Sequence, residues 1–412
     1  MSPAAVITGL GVVAPSGIGV ESFWPAIRDG RRSLGPLTRF EPNPYPVVVA
    51  GEVHGFEQSE WVDGPIAVQT DRFTHFALAA AKMALREADL DPVDVPPFGF
   101  GVITASYSGG VEFGQREIER LWRNGPEHVG PYQSIAWFYA ACTGQISIGN
   151  GLRGPSGVLV ADEAGGLDAL AGARSELRRG ATAMLVGGTE APFCPYAICC
   201  QLGHGLLSPG DDSTTAYLPF TSRAAGFAPG EGGAMLVVEN ADAARERGAR
   251  ARAVVAGYGA TFTGPQRYDR SAEGLERAAR SAVAEAGVDL AEVDVVFLDA
   301  LGDGRADLAE FEALRSLFGG RLDQIPVTAP KTGYGRCYAG TAALDVVAAV
   351  LALDHGAIPP TPNVDECRFD LDLVTGPARE GAIHTALVLS RGLYGGNSAV
   401  VLRRPEPNEG GN

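Results

Sequence analysis

The feature that most constrains this chain is that its second half repeats its first. Residues 84–94 read ALREADLDPVD and residues 282–294 read AVAEAGVDLAEVD, with the same helix end, turn and strand entry. Leu167-Asp168 opens a helical pattern that closes at Arg179-Gly180-Ala181, and Leu344-Asp345 opens one that closes at His355-Gly356-Ala357. Two matches in the same order point to a duplicated unit. The 412 residues are enough for two such halves. A polar stretch rich in Ala, Arg and Glu, 240–252, is where they would join. The expected units are an N-terminal half, 1–245, and a C-terminal half, 252–404. A tail, 405–412 (PEPNEGGN), is expected to be disordered.

Within the halves, short runs rich in Val, Ile and Gly alternate with amphipathic segments. Residues 6–13, 99–104, 158–160, 183–188 and 234–239 read as strands. Several are nearly continuously apolar, as strands covered on both faces are. Residues 73–88 and 166–179 read as helices. This alternation predicts the α/β class with layered sheets and helices. The net charge of −16 argues against nucleic acid or an anionic membrane as partner, since both need a basic surface. No apolar run reaches the roughly 18 residues of a membrane span. The start, MSPAAVITGLGVVAPSG, has no charged leader region and reads as a strand plus turn. The cysteines at 142, 194, 199, 200, 337 and 367 form no CxxC pair. They predict a reduced, cytoplasmic protein without disulfides or zinc.

Four segments carry a resemblance: VITGLGVVAPSG at 6–17, LPFTSRAAGFAPGEGGAMLVVE at 218–239, PKTGYGRCYAGTAALD at 330–345 and YGGNSAVVL at 394–402. Together they resemble the β-ketoacyl synthases of the thiolase fold. FGQREIERLW, QSIAWFYAACTGQISI, EAGGLDALAGA and ALVLSRGLYGGNSAVVLRR are similar, more closely, to the chain-length factors, the ketosynthase β subunits of type II polyketide synthases. The resemblance implies two related βαβαβ halves in a five-layered α/β/α/β/α core. It implies a heterodimer with a catalytic ketosynthase α subunit, through an apolar interface above ~2,000 Å². It also implies an acyl carrier protein whose phosphopantetheine bears a chain grown from malonyl units, and no cofactor bound by this chain itself.

A decarboxylative condensing enzyme needs a thiolate at a helix N-terminus and two histidines to bind the malonyl carbonyl and stabilise the enolate. Active family members carry these in a GCxSGLDA-like elbow, an HGTGT-like loop and a GHxxGAxG-like loop. Here the elbow, 160–169, reads VADEAGGLDA, with Glu163 at the nucleophile's position. The first histidine loop reads DALGDG at 299–304, with Leu301 for the imidazole. The second reads KTGYGRCYAG at 331–340, with Arg336 for the other; the family's lysine is kept as Lys331. All three reactive groups are gone, so a non-condensing subunit is expected. Chain-length factors usually have Gln at the elbow. Glu163 lacks that amide donor and would repel a malonyl carboxylate, which disfavours a priming role. If the backbone is kept, Glu163 and Arg336 converge. They are expected to form a bidentate ion pair, with the carboxylate also accepting from the helix N-terminus. The alternative is a solvated Glu163 with Arg336 turned outward.

In 111–122, VEFGQREIERLW, the residues Val111, Gly114, Ile118, Leu121 and Trp122 fall on one helical face. The resemblance places Val111, Gly114 and Ile118, with Trp137 as a further wall, along a tunnel that receives the growing poly-β-ketone. Val111, Gly114 and Ile118 are smaller than the residues seen in family members that make short chains, so the resemblance implies a product longer than an octaketide; a reduced, polyene-like chain stays open. Ordinary packing is expected for Cys142, Cys194, Cys199 and Cys200, a core position for His75 and His384, and a solvated face for Arg174, Arg178 and Arg179. Gly9, Gly11 and Ala14 match a loose dinucleotide fingerprint, but Pro15-Ser16-Gly17 follows where a helix should open. Two other functions compete: a self-sufficient malonyl-carrier-protein decarboxylase or acyltransferase using Glu163, and an assembly-only homologue.

Overall fold

The structure, a computed structural model, describes residues 4–42, 45–264 and 272–406. Residues 407–412 of the expected tail lie outside the described residues. Among the described residues the main sheet has a path of ten strands, β1 (Ala5–Ala14), β2 (Phe100–Ala105), β3 (Ser156–Leu159), β4 (Ala183–Glu190), β5 (Gly232–Asn240), β6 (Ala253–Phe262), β7 (Val295–Phe297), β8 (Val327–Thr328), β9 (Thr385–Arg391) and β10 (Gly396–Arg403), with a short eleventh strand, Gly17–Ile18, paired to β1 off that path. Their spatial order is β8-β7-β9-β10-β6-β1-β5-β4-β2-β3. From its middle outward the sheet reads the same in both directions. β1 is antiparallel to β5, β5 to β4, and β2 runs parallel to β4 and β3. β6 is antiparallel to β10, β10 to β9, and β7 runs parallel to β9 and β8. The halves meet where β1 pairs antiparallel with β6, Val6 opposite Val254 and Ile7 opposite Ala253.

The main helices repeat the same way. α1 (Arg72–Glu87), α2 (Val111–Asn124), α3 (Ala141–Gly149), α4 (Gly165–Arg178) and α5 (Pro195–Leu202) belong to the first half. α6 (Ala272–Ala286), α7 (Gly304–Phe318) and α8 (Ala339–His355) belong to the second. α4 follows β3 as α8 follows β8. These two pack on each other between the sheet halves, and α8 is buried from Ala339 to Leu353. α1 covers β1 and β5 from outside, as α6 covers β6 and β10. The result is the five-layered α/β/α/β/α arrangement that the resemblance implied.

Two glycine pairs set the helix–strand distance. A Cβ on Gly9 would lie 2.1 Å from Ala84 O, and one on Gly11 1.8 Å from Ala80 O. In the second half, Gly257 stands 2.0 Å from Ala282 O and Gly259 2.1 Å from Ala278 O, measured the same way. Gly9 and Gly11 thus serve close approach of α1 to the sheet.

Several expectations need correction. The third strand ends at Leu159, and Val160 is exposed. Arg174 is buried, because its guanidinium reaches Glu285 Oε2 at 2.8 Å and donates to Ala256 O at 3.0 Å; Arg178, paired with the same Glu285, stays at the surface. His384 is exposed where the chain enters β9, whereas His75 is buried against Thr70 Oγ1 at 3.0 Å. Cys142 and Cys194 are buried, but Cys199 and Cys200 lie on the outward side of α5. No described helix is long and apolar enough to cross a membrane.

Candidate functional site

The turn from β3 into α4 carries the elbow. Asp162 takes a left-handed backbone, φ 62°, and its Oδ2 accepts from the Tyr394 amide at 2.9 Å, which ties the elbow to the β9–β10 turn. The next residue, Glu163, is fully enclosed, and Arg336 is 1% exposed. Arg336 reaches Glu163 Oε2 with Nε at 2.6 Å and Nη2 at 2.5 Å. The two replaced positions therefore converge, but the geometry departs from a fork-to-fork pair. Both nitrogens address one oxygen, and Oε1 has no hydrogen-bond partner. Nor does the carboxylate cap α4, whose first turn has no side-chain cap. The reason is Asp299. It takes the other edge of the guanidinium, accepting from Nη1 at its carbonyl and from Nη2 at Oδ1, both at 2.7 Å.

Asp299 is the hub of the cluster. Arg391, at the end of β9, donates to its Oδ2 at 3.0 Å and pairs with Glu310 Oε2 at 3.1 Å. Glu310 in turn accepts from the amides of Asp299 (2.7 Å) and Ala300 (3.0 Å). Lys331 Nζ donates to Leu298 O at 2.8 Å and forms an ion pair with Asp345 on α8. Leu301 is buried among Tyr217, Phe227 and Tyr338. Burial alone would raise Asp299, yet Arg336, Arg391 and Lys331 hold it below the usual carboxylate range. Glu163 shares Arg336 with Asp299, so burial prevails and pushes it up to about 7; burial likewise outweighs Lys331 and pushes Asp345 up to about 6. Burial opposes the charge on Arg336 as well, but Asp299 and Glu163 keep it protonated.

This arrangement has no nucleophile to offer. Among the described residues neither a thiol nor an imidazole bonds to Glu163 or Arg336. The adjacent Cys337 is buried against Glu231 O, with its thiol pushed well up by burial. His204 accepts from the Leu206 amide at 3.3 Å and packs on Phe227, 5.9 Å between ring centroids. Sequence reasoning missed Asp299, Glu310, Asp345 and Arg391 as members of the cluster. A charged residue inside the apolar run of β9 was the available signal for Arg391. Over the elbow opens a separate cleft of about 610 Å³, walled by Tyr107, Val160, Phe262 and Tyr394 with Asp168 and Ser398 among its polar groups.

The helix assigned to a tunnel splits into two parts. α2 buries Val111, Phe113, Gly114 and Glu117, while every residue from Ile118 to Asn124 is exposed. Trp122 is 82% exposed, and Ile118 and Leu121 lie outward with it. The space beside Gly114 is not open: a Cβ there would meet Trp137 Cδ1 at 2.8 Å. Trp137 is itself half-exposed, next to exposed Ile135 and Phe138. One side of the chain thus shows an apolar surface of a kind that monomers rarely leave uncovered.

Comparison with known proteins gives consistent relatives. The profile described as "Beta-ketoacyl synthase, N-terminal domain" matches residues 3–244, and "Beta-ketoacyl synthase, C-terminal domain" matches residues 252–365. The chain is 58% identical to a putative polyketide beta-ketoacyl synthase 2 of Streptomyces coelicolor, covering 98% of this chain and 95% of that one. It is 49% identical to the tetracenomycin polyketide synthase ketoacyl synthase beta subunit of Streptomyces glaucescens, covering 97% and 98%. Among solved structures, the ishigamide ketosynthase/chain length factor superposes with a TM-score of 0.92 at 27% identity, covering 98% of this chain and all of that one.

Proposed function

The chain belongs to the β-ketoacyl synthase family, and from that premise we propose that it is the non-condensing β subunit of a type II polyketide synthase, the chain-length factor. Its partner is a catalytic ketosynthase α subunit, which supplies the cysteine and both histidines. The substrate is a poly-β-ketone held as a thioester on the phosphopantetheine of an acyl carrier protein and lengthened by decarboxylative condensation of malonyl units. The observation that carries this reading is the Glu163–Arg336–Asp299 cluster, which fills the place of the reactive groups with a buried ion pair. A carboxylate in that position forms no thioester suited to condensation, and its enclosure by Arg336 disfavours a decarboxylase working through Glu163.

The exposed apolar side chains of α2 and of the Trp137 segment support the heterodimer. Val111, Gly114, Ile118 and Trp137 line the tunnel in this reading, and the product exceeds an octaketide. Trp137, seated on Gly114, is then the wall that sets where the chain stops. The ketosynthase-like halves are 1–245 and 252–404. The test is co-expression with the cognate ketosynthase and mass measurement of the released polyketide. Gly114→Phe displaces the Trp137 ring and should shorten the product by at least one two-carbon unit. An unchanged product at unchanged output would remove the tunnel assignment. Carbon dioxide released from malonyl-carrier protein by the chain alone, and lost in Glu163→Ala, would favour the decarboxylase instead.

A further inference from the structure

Helix α2 is held at its start by buried carboxylates that accept backbone N–H groups. Glu190, the last residue of β4, is fully enclosed; it accepts from the amides of Tyr107 and Ser108 and from the Ser108 hydroxyl. Asp71, 2% exposed, faces two helices at once. Its Oδ1 accepts from the Phe73 amide at 3.4 Å and caps α1, and its Oδ2 accepts from the Phe113 amide of α2 at 2.6 Å. Between these anchors the backbone runs tight against the Trp137 segment. Gly110 N donates to Trp137 O at 3.2 Å, and a Cβ on Gly110 would lie 1.9 Å from Ala136 O and 3.0 Å from the Asp71 Cβ. Gly109, at φ 63°, presses on Trp137 O in the same way.

Both acids are costly where they stand. Burial pushes Asp71 and Glu190 each up to about 7, against the pull of the amides they bind and, for Asp71, of the more distant Arg116; among the described residues neither forms an ion pair. An apolar contact would secure a helix at lower cost. What a carboxylate adds is direction, since it fixes particular N–H groups at hydrogen-bond distance.

We propose that Asp71 and Glu190 are positioning residues for chain-length selection: by holding the amides of residues 107, 108 and 113 they fix where α2 starts, and with it the seat of the Trp137 ring on Gly114. This rests on the tunnel reading above. The experiment uses the heterodimer with its cognate ketosynthase and reads the mass distribution of released polyketides together with the thermal midpoint. Asp71→Asn and Glu190→Gln should each raise the share of off-length products at least fivefold while total output falls less than threefold. Asp71→Ser, which keeps a cap on α1 but is too short to reach Phe113 as well, should do the same if Asp71→Asn does not fold. Trp137→Ala is the arm that tests the premise and should shift product length by itself. If Trp137→Ala shifts the lengths while the carboxylate variants keep the native distribution, even at a lowered midpoint, the two acids are merely structural and the inference is overturned. If Trp137→Ala leaves the lengths unchanged, the tunnel reading falls and takes this inference with it.

Discussion

The centre of the molecule and the base of α2 both bury carboxylates, and they treat them in opposite ways. In the centre, Glu163, Asp299, Glu310 and Asp345 stand among Arg336, Arg391 and Lys331, with ion pairs closing most of the hydrogen-bonding capacity. At the base of α2, Asp71 and Glu190 bind amides, and among the described residues neither forms an ion pair. The first pattern seals a space by charge neutralisation and leaves nothing reactive. The second aims a helix whose outer half, from Ile118 to Asn124, is left bare. The contrast is one of use: the centre is filled by its own ion pairs, whereas the proposed tunnel role falls to a helix and the tryptophan beside it, whose placement depends on hydrogen bonds to backbone amides.

The largest expected effect lies in the centre. Arg336→Ala would leave Glu163 buried without the cation it pairs with and Asp299 with Arg391 as its remaining ion pair among the described residues, and breaking such a buried pair costs about 3–5 kcal/mol. The variant should be insoluble or melt far below the parent in differential scanning calorimetry. A midpoint within a degree or two of the parent would dissolve the contrast between the two regions. Next comes the bare end of α2. Trp122→Asp should leave the thermal midpoint of the isolated chain almost unchanged, because a surface substitution moves stability within about 0.5 kcal/mol. Association with the ketosynthase, measured by titration calorimetry, should weaken at least tenfold. Equal affinity for both proteins would show that this surface is not the interface.

The smallest effect sharpens the electrostatics. Glu163 holds its proton up to about 7 in the folded chain, against an ordinary value of 4.5. Between these two values the folded state binds more proton than the unfolded one, so this residue makes stability fall as pH rises through that window. Glu163→Gln removes the contribution. The drop in thermal midpoint from pH 5 to pH 7.5 should therefore be smaller in Glu163→Gln than in the parent, by on the order of 1–2 °C. An identical or larger drop would mean that Arg336 keeps Glu163 ionised throughout.

Much of this was legible in the sequence. The repeat of 84–94 at 282–294 marks equivalent ends of α1 and α6. A stronger trace of the duplication is Gly9-x-Gly11 matched by Gly257-x-Gly259, whereas Gly9 and Gly11 on their own match a loose nucleotide fingerprint. Its meaning depends on a helix lying across the strand, which spacing alone does not reveal. Glu163, Leu301, Arg336 and Lys331 could be found because each sits in a short loop with its own pattern. Their partners could not, because Asp299, Glu310, Asp345 and Arg391 come from four segments that meet only after folding. That also explains the one-oxygen pair: Asp299 claims the far edge of Arg336, and no local pattern announces it. For α2, a 3.6-residue period identified an apolar face. Periodicity does not say whether such a face meets the chain's own body or is left open, and here its first half is buried and its second half exposed.

The central claim is that this chain shapes a product it has no means to build. The most direct measurement incubates the purified chain, free of any ketosynthase, with acyl- and malonyl-loaded carrier protein and looks for the β-ketoacyl product by mass. The account predicts none at any enzyme concentration, with condensation appearing only when the partner subunit is added. Condensation product from the chain alone would contradict it.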